Sequence, residues 1–213
     1  MDIARLSAQW DEAADTFDDE VDHGLVNQDV RQAWMRVLGS LLPDPPARIV
    51  DLGCGTGSVA VLLAESGYEV LGLDFSPRMI EHAQAKAAAT NSRAMFRIGD
   101  ATAPDLADAQ FDVVFARHVV WALPDPLQAL RRWVQLLAPS GRLVLVEGLW
   151  EGGAGLSAGK LMSLLEPFAS RVTVHPLSET VLWGKELEDE RYALVALPDE
   201  RAVEDGGTVS REH

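Results

Sequence analysis

The sequence predicts an α/β protein with a doubly wound, mostly parallel sheet and helices on both faces. Three observations predict it. From Arg48 onward, short apolar runs alternate with amphipathic stretches in a repeating strand–loop–helix order. The first run, Ile49-Val50, passes through Asp51 into a loop with glycines at every second position, Gly53, Gly55 and Gly57, and then into a helix-competent run, Ser58–Glu65. A strand that feeds such a loop into a helix N-terminus holds a nucleotide-like ligand at the carboxyl edge of a parallel sheet. Finally, 213 residues of which 47% are hydrophobic suffice for one such domain and a small appendage.

Composition narrows the function. A formal net charge of −15 repels phosphate backbones, which argues against a nucleic-acid partner and favours a small-molecule substrate. Arg131-Arg132 is the one adjacent basic pair, and it lies inside an amphipathic stretch. The start, MDIARLSAQWDEAADTF, has neither a basic lead nor a continuous apolar run, so no signal peptide is expected. No stretch approaches the ~18 apolar residues of a membrane span. A single cysteine excludes an internal disulfide and suits the cytoplasm. The five histidines are scattered, without metal-ligand spacing, so no metal site is expected.

Residues 3–17 are predicted as a helix with Leu6, Trp10, Ala13, Ala14 and Phe17 on one face, followed by an acidic break at Asp18-Asp19-Glu20. A second helix, about 29–42, ends at Pro43, Pro45 and Pro46. This segment, 1–44, either packs on the sheet or folds over a ligand as a helical lid, with Trp10 and Phe17 the candidate pocket residues. The first strand is Arg48–Asp51, and Gly67 closes the helix after it. The second strand, Glu69–Leu73, ends at Asp74, about 20 residues beyond Gly53, where adenosine-binding folds place an acid for the ribose hydroxyls. Ser76-Pro77 supplies the cap and first residue of the next helix, Pro77–Ala89, which leaves Asp74 free for a ligand. The third strand is about 94–98, followed by Gly99-Asp100-Ala101. The fourth, Phe111–Ala116, delivers Arg117 and His118 to the ligand edge, and Asp125-Pro126 opens a helix to Leu137. After a turn at Pro139-Ser140-Gly141, the apolar fifth strand, Arg142–Glu147, sends Glu147 and Trp150 out at the same edge. The helix Ala158–Phe168 and two last strands, Arg171–His175 and Arg191–Leu197, complete seven strands, the last antiparallel. The core domain is then 45–197, and the polar, acidic 198–213 is expected to be a disordered tail.

The dinucleotide fingerprint requires its third glycine three positions after the second, and here it comes after two. The run Asp51-Leu52-Gly53-Cys54-Gly55-Thr56-Gly57 instead resembles the first motif of the class I S-adenosylmethionine-dependent methyltransferases. The resemblance extends from about residue 45 to about 150 through LDFSPRM, Gly-Asp-Ala and Phe-Asp-Val-Val-Phe in the same order. It implies a Rossmann-like fold, S-adenosyl-L-methionine as cofactor and S-adenosyl-L-homocysteine as product. By the same resemblance, Asp51, Gly53, Cys54 and Gly55 line the cofactor loop, and Asp74 binds the ribose. Phe75 and Met79 would pack on adenine, although Met79 fits the helix core equally well. Asp100 and Ala101 fall at the family's adenine site, and Arg117 at the cofactor's methionine end.

Methyl transfer from a sulfonium needs alignment and exclusion of water more than covalent help. His118 is the candidate base for a hydroxyl acceptor; as a structural histidine it would instead bond to backbone. For an amine acceptor, aromatic walls such as Trp121, Trp150 and Trp183 would meet the developing positive charge. Glu147 is either a substrate ligand or a solvated loop residue. Cys54 has no basic neighbour and fills a small-residue position. The expected activity is methylation of an O or N atom of a small molecule. The alternative is a protein of this fold that binds S-adenosylmethionine without methylating. The acceptor and the oligomeric state are left open.

Overall fold

The computed structural model describes residues 3–150 and 152–199; the expected tail, 198–213, falls almost wholly outside them. Eight α-helices and seven strands follow in order. The helix α1 (Ile3–Ala13) leads through a 3-10 turn at Phe17–Asp19 to the short α2 (Val21–Gly24) and to α3 (Gln28–Leu41). Then β1 (Arg48–Leu52), α4 (Ser58–Glu65), β2 (Glu69–Asp74), α5 (Pro77–Thr90), β3 (Met95–Ile98) and β4 (Phe111–Arg117) alternate. A second 3-10 turn, Val120–Ala122, precedes α6 (Pro126–Gln135). The chain closes with β5 (Leu137–Leu149), α7 (Ala158–Leu165), β6 (Ala169–Pro176), α8 (Thr180–Trp183) and β7 (Glu190–Pro198).

The strands form one sheet in the order β3-β2-β1-β4-β5-β7-β6. Pairs β1·β2, β1·β4, β2·β3 and β4·β5 are parallel, whereas β7 runs antiparallel to both β5 and β6. The strand order reverses between β1 and β4, which places a ligand crevice at their carboxyl ends.

Alternation along the central strands builds the two layers. Ile49, Val113, Phe115, Val144 and Val146 pack into one core with α3, α4, α5 and α8. Their neighbours Val50, Val114, Ala116, Leu143 and Leu145 pack into the other with α6 and α7. Both sets are buried, as a parallel sheet covered on two faces requires.

The N-terminal region is more broken than the expected pair of helices. The first helix stops at Ala13, and residues 17–24 wind into two short turns. Gly24 makes this compact, because a Cβ there would sit 2.3 Å from the Asp18 carbonyl oxygen. The expected turn at Pro139-Ser140-Gly141 is instead part of β5. Ser140 takes a left-handed φ of 66°, and the pairing with β4 shifts register between Phe111 and Val113, so the strand kinks without breaking. Asn27, Ser76, Asp125 and Ser157 cap helices with their side chains. Among the described residues, no helix is long and apolar enough to cross a membrane.

Candidate active site

One cavity of about 900 Å³ opens at the carboxyl ends of β1, β2 and β4. It runs from the glycine loop, past Asp74, Met79 and Asp100, to an aromatic chamber walled by Trp10, Phe17, Trp121, Trp150 and Trp183. Its volume lies at the upper end of the range for small-molecule sites.

The loop is a backbone structure. Gly53, Gly55 and Gly57 have φ of 72°, 54° and 76°, in the left-handed region that side chains disfavour. Space reinforces the choice: a Cβ on Gly53 would lie 2.5 Å from Val119 Cγ2, and one on Gly57 would lie 2.7 Å from Phe96 Cζ. The amides of Gly53 and Cys54 both donate to the Leu73 carbonyl, at 2.8 and 2.9 Å, which ties the loop to the end of β2.

Asp74 completes the tie. Its Oδ2 accepts from Gly55 N and its Oδ1 from Ser76 N, each at 2.9 Å, and the carboxylate still lines the cavity. Each oxygen retains a lone pair for a ligand hydroxyl. Burial raises the carboxyl above its ordinary range, and the amides of Ser76 and Gly55 oppose that. Burial also pushes Asp51 up to about 7, with Arg117 acting against it and Asp74 with it. The Cys54 thiol is driven well above its usual value by burial and by Asp51 and Asp74, so it stays protonated and inert. Asp100 turns its Oδ1 to Thr102 N at 2.8 Å, and Trp133 Nε1 holds the Ala101 carbonyl at 2.7 Å. Phe75 and Met79 line the same end, Met79 only 1% exposed.

The N-terminal segment roofs this loop. The Phe17 ring stands 3.3 Å from the Cβ position of Gly55. Three carboxylates fasten the segment: Asp11 accepts from Ser76 Oγ and Arg78 N, Asp15 pairs with Arg78 and His82, and Asp18 pairs with Lys86 at 2.7 Å and accepts from Thr56 Oγ1.

At the chamber end, β4 delivers Arg117 and His118. Arg117 lies over the Trp34 ring at 5.3 Å and donates to the Asp22 carbonyl. His118 takes a left-handed φ of 59°, held by its amide on the Val146 carbonyl at 2.8 Å and by Trp121 Nε1 on its own carbonyl at 2.9 Å. Strain of this kind concentrates at functional positions. Its ring stacks on Trp183 and meets the edge of Trp150, and its Nε2 is buried without a hydrogen-bond partner. Burial, then Arg117, His23 and Arg191, hold the imidazole well below its ordinary value, so it is neutral and carries a free lone pair.

Glu147 departs from expectation. It is 0% exposed and forms no part of the cavity wall. Its Oε1 accepts from the amides of Val119 and Val120 at 2.9 and 2.7 Å, so it supports the 118–122 turn from behind. The strand end emerges at the ligand edge, but this side chain points back into the fold. No sequence motif points to Asp22 and His23, which α2 carries into the chamber, or to Arg191, which lines it with Trp183. His23 stacks on Phe17 at 4.3 Å, close to His118.

Residues 50–145 match the family described as a methyltransferase domain. That match takes in just under half of the chain and carries its glycine loop. Among curated relatives, the demethylmenaquinone methyltransferase of Thermus thermophilus is 39% identical over 114 residues, covering 53% of this chain and 52% of that protein. The ubiquinone biosynthesis O-methyltransferase of Cereibacter sphaeroides is 34% identical over 119 residues, 56% of this chain and 48% of the relative. The chain spans about half the length of the curated relatives it matches. The fold is also that of a TehB-like S-adenosylmethionine-dependent methyltransferase from Corynebacterium glutamicum, with TM-score 0.62, 21% identity and coverage of 92% and 98%. It is shared too by the [4+2]-cyclase SpnF, with TM-score 0.68, 18% identity and coverage of 78% and 80%.

The residues present fit S-adenosylmethionine, the donor that methyltransferases use: Gly53, Cys54 and Gly55 line the cavity, Asp74 there keeps acceptor capacity for ligand hydroxyls, and Asp100 lines the same cavity.

Proposed function

We propose that this protein methylates a hydroxyl oxygen on a small, flat acceptor, with S-adenosylmethionine as donor. The observation that carries the reading is the continuity of the cavity from the glycine loop to a chamber walled by five aromatic rings, with the unpartnered Nε2 of His118 in its depth. The relatives named for quinone-pathway substrates support a flat ring with oxygen substituents.

The donor supplies an electrophilic methyl carbon, so the chain's task is alignment. The loop amides and Asp74 hold the nucleoside end, Asp100 and Met79 the adenine, and Phe17 closes over both. Trp121, Trp150 and Trp183 fix the acceptor ring and exclude water. His118 Nε2 receives the hydroxyl proton. A weakly basic imidazole is adequate, because the hydroxyl becomes strongly acidic as its oxygen bonds to carbon.

The test is calorimetric titration with S-adenosylmethionine, S-adenosylhomocysteine and NAD on the wild type and Asp74→Ala. Both sulfur ligands are expected to bind and NAD not to. Loss of charge-assisted ribose bonds, about 1.5–3 kcal/mol, weakens the variant roughly 10- to 100-fold. Transfer of labelled methyl to phenols over amines then checks the acceptor. Absence of binding by either sulfur ligand refutes the reading, and labelling of amines alone refutes its oxygen specificity.

A further inference from the structure

The chamber brings together a set of side chains that methyl transfer from a sulfonium does not require. Asp22 and His23 arrive on α2 and His118 at the end of β4, and one ligand atom from each lies within 4.8 Å of the others. His23 Nε2 stands 3.7 Å from Asp22 Oδ2, too far for a hydrogen bond. The Nδ1 of His23 and the Nε2 of His118 are both buried without hydrogen-bond partners. Each imidazole thus leaves one buried nitrogen unpaired, which is costly unless something binds it.

We propose that Asp22, His23 and His118 form a binding site for one divalent transition-metal ion, open on the chamber side. Two imidazoles and one carboxylate with free positions are the donor set of zinc and of non-haem iron or manganese sites. Metal–ligand bonds of about 2.0–2.2 Å put ligand atoms about 3–4 Å apart, so closure asks for about an ångström of side-chain rotation. Packing holds both rings in place. His23 is held by its stack on Phe17, with 12° between planes, and His118 by Trp183 on its face and Trp150 at its edge. The two imidazole centroids lie 6.4 Å apart with 67° between their planes, a separation that one ion between them can span. Arg117 and Arg191 both bring positive charge to His118, and carboxylates oppose it: Asp22 and Asp18 act on Arg117, and Asp189 pairs with Arg191.

The role of the ion rests on the methyltransferase reading, although the site does not. An ion here would replace His118 Nε2 as the means of activating the hydroxyl, because ligation occupies that lone pair: it would take the acceptor oxygen as a ligand, and the hydroxyl proton would pass to solvent as the oxygen binds. The oxyanion then attacks the methyl carbon: a carbon–oxygen bond forms, the carbon–sulfur bond breaks, and its electron pair leaves on sulfur. The acceptor class becomes a flat ring with two adjacent oxygen donors, which chelate better than one.

The test uses the full chain, freed of metal with a chelator and titrated with Co²⁺ and Zn²⁺. The readouts are the visible absorption of bound Co²⁺, metal stoichiometry by mass spectrometry, and calorimetric binding of S-adenosylhomocysteine. One ion per chain is expected, weakened at least 100-fold in His23→Ala and in His118→Ala and unchanged in His175→Ala. His23→Gln, which retains the ring's approximate volume, repeats the test should His23→Ala fail to fold. No stoichiometric ion, or an ion bound equally by the His23 and His118 variants, overturns the site. S-adenosylhomocysteine binding without any ion removes this inference alone, whereas an ion without S-adenosylhomocysteine binding removes the methyltransferase reading and leaves the site standing.

Discussion

Replacing Glu147 with glutamine separates the work of its oxygen from the work of its proton. The carboxyl is fully buried, and burial pushes it up to about 8 from an ordinary 4.5, against the pull of the Val120, Val119 and Trp121 amides. The folded chain therefore keeps a proton that the unfolded chain has already lost. The stability this proton contributes is complete below about pH 4.5, declines as pH rises, and is gone above about pH 8. Each unit in that window is worth about 1.4 kcal/mol, so the whole span is at most about 5 kcal/mol, and relaxation around the charge reduces it to roughly 2–4. Glutamine retains an oxygen for the two amides and cannot ionise. Its amide nitrogen, however, falls where Oε2 has no partner, at a cost of about 1–3 kcal/mol. The variant should thus be the less stable protein at pH 5 and the more stable one near pH 8.5. Urea unfolding followed by tryptophan fluorescence from pH 5 to 9 measures the difference. Asp51 titrates in both proteins and cancels. A difference that stays flat across this range would refute a raised Glu147.

Two further substitutions probe the loop and its roof. Gly57→Ala combines a φ of 76° with a Cβ 2.7–2.8 Å from Phe96 and Ala83, and a loss of about 2–4 kcal/mol is expected from thermal unfolding; an unchanged melting temperature would mean the turn is not as drawn. Lys86→Met removes the partner of Asp18 and should weaken S-adenosylhomocysteine binding several-fold by calorimetry, with less salt dependence than the wild type. Equal affinity in the two proteins would show that this clasp contributes nothing to holding the roof.

The part of the site that contiguous residues build was legible in the sequence. The glycine loop, Asp74 and Asp100 are each fixed by a strand end and a turn a few residues long, and the structure sets all of them along the cavity. Trp10, Phe17, Trp121 and Trp150 line it as well. What could not be read was direction and return. Whether Glu147 faces the chamber or the core depends on the parity of β5, and Leu143–Val146 are apolar on both faces, so no local pattern encodes it. Asp22 and His23 sit in an acidic stretch whose composition suggests a solvated break. The signal there was the Gly24-Leu25 pair, where a glycine and a large apolar residue mark a packed turn; Leu25 is 1% exposed. The spacing of the histidines is silent for the same reason, since His23 and His118 come near each other only after the N-terminal segment folds back.

That fold-back gives the segment two duties at once. Phe17 touches the glycine loop and stacks on His23 in the chamber, while Asp18, the next residue, is fastened to Lys86. Under the proposed function, donor grip and acceptor choice would not be separate inheritances in this chain. A substitution in residues 17–23 selected for a new acceptor would alter the hold on the donor in the same step, and divergence toward new substrates would run first through Trp121, Trp150 and Trp183, whose rings bear on the acceptor end of the cavity.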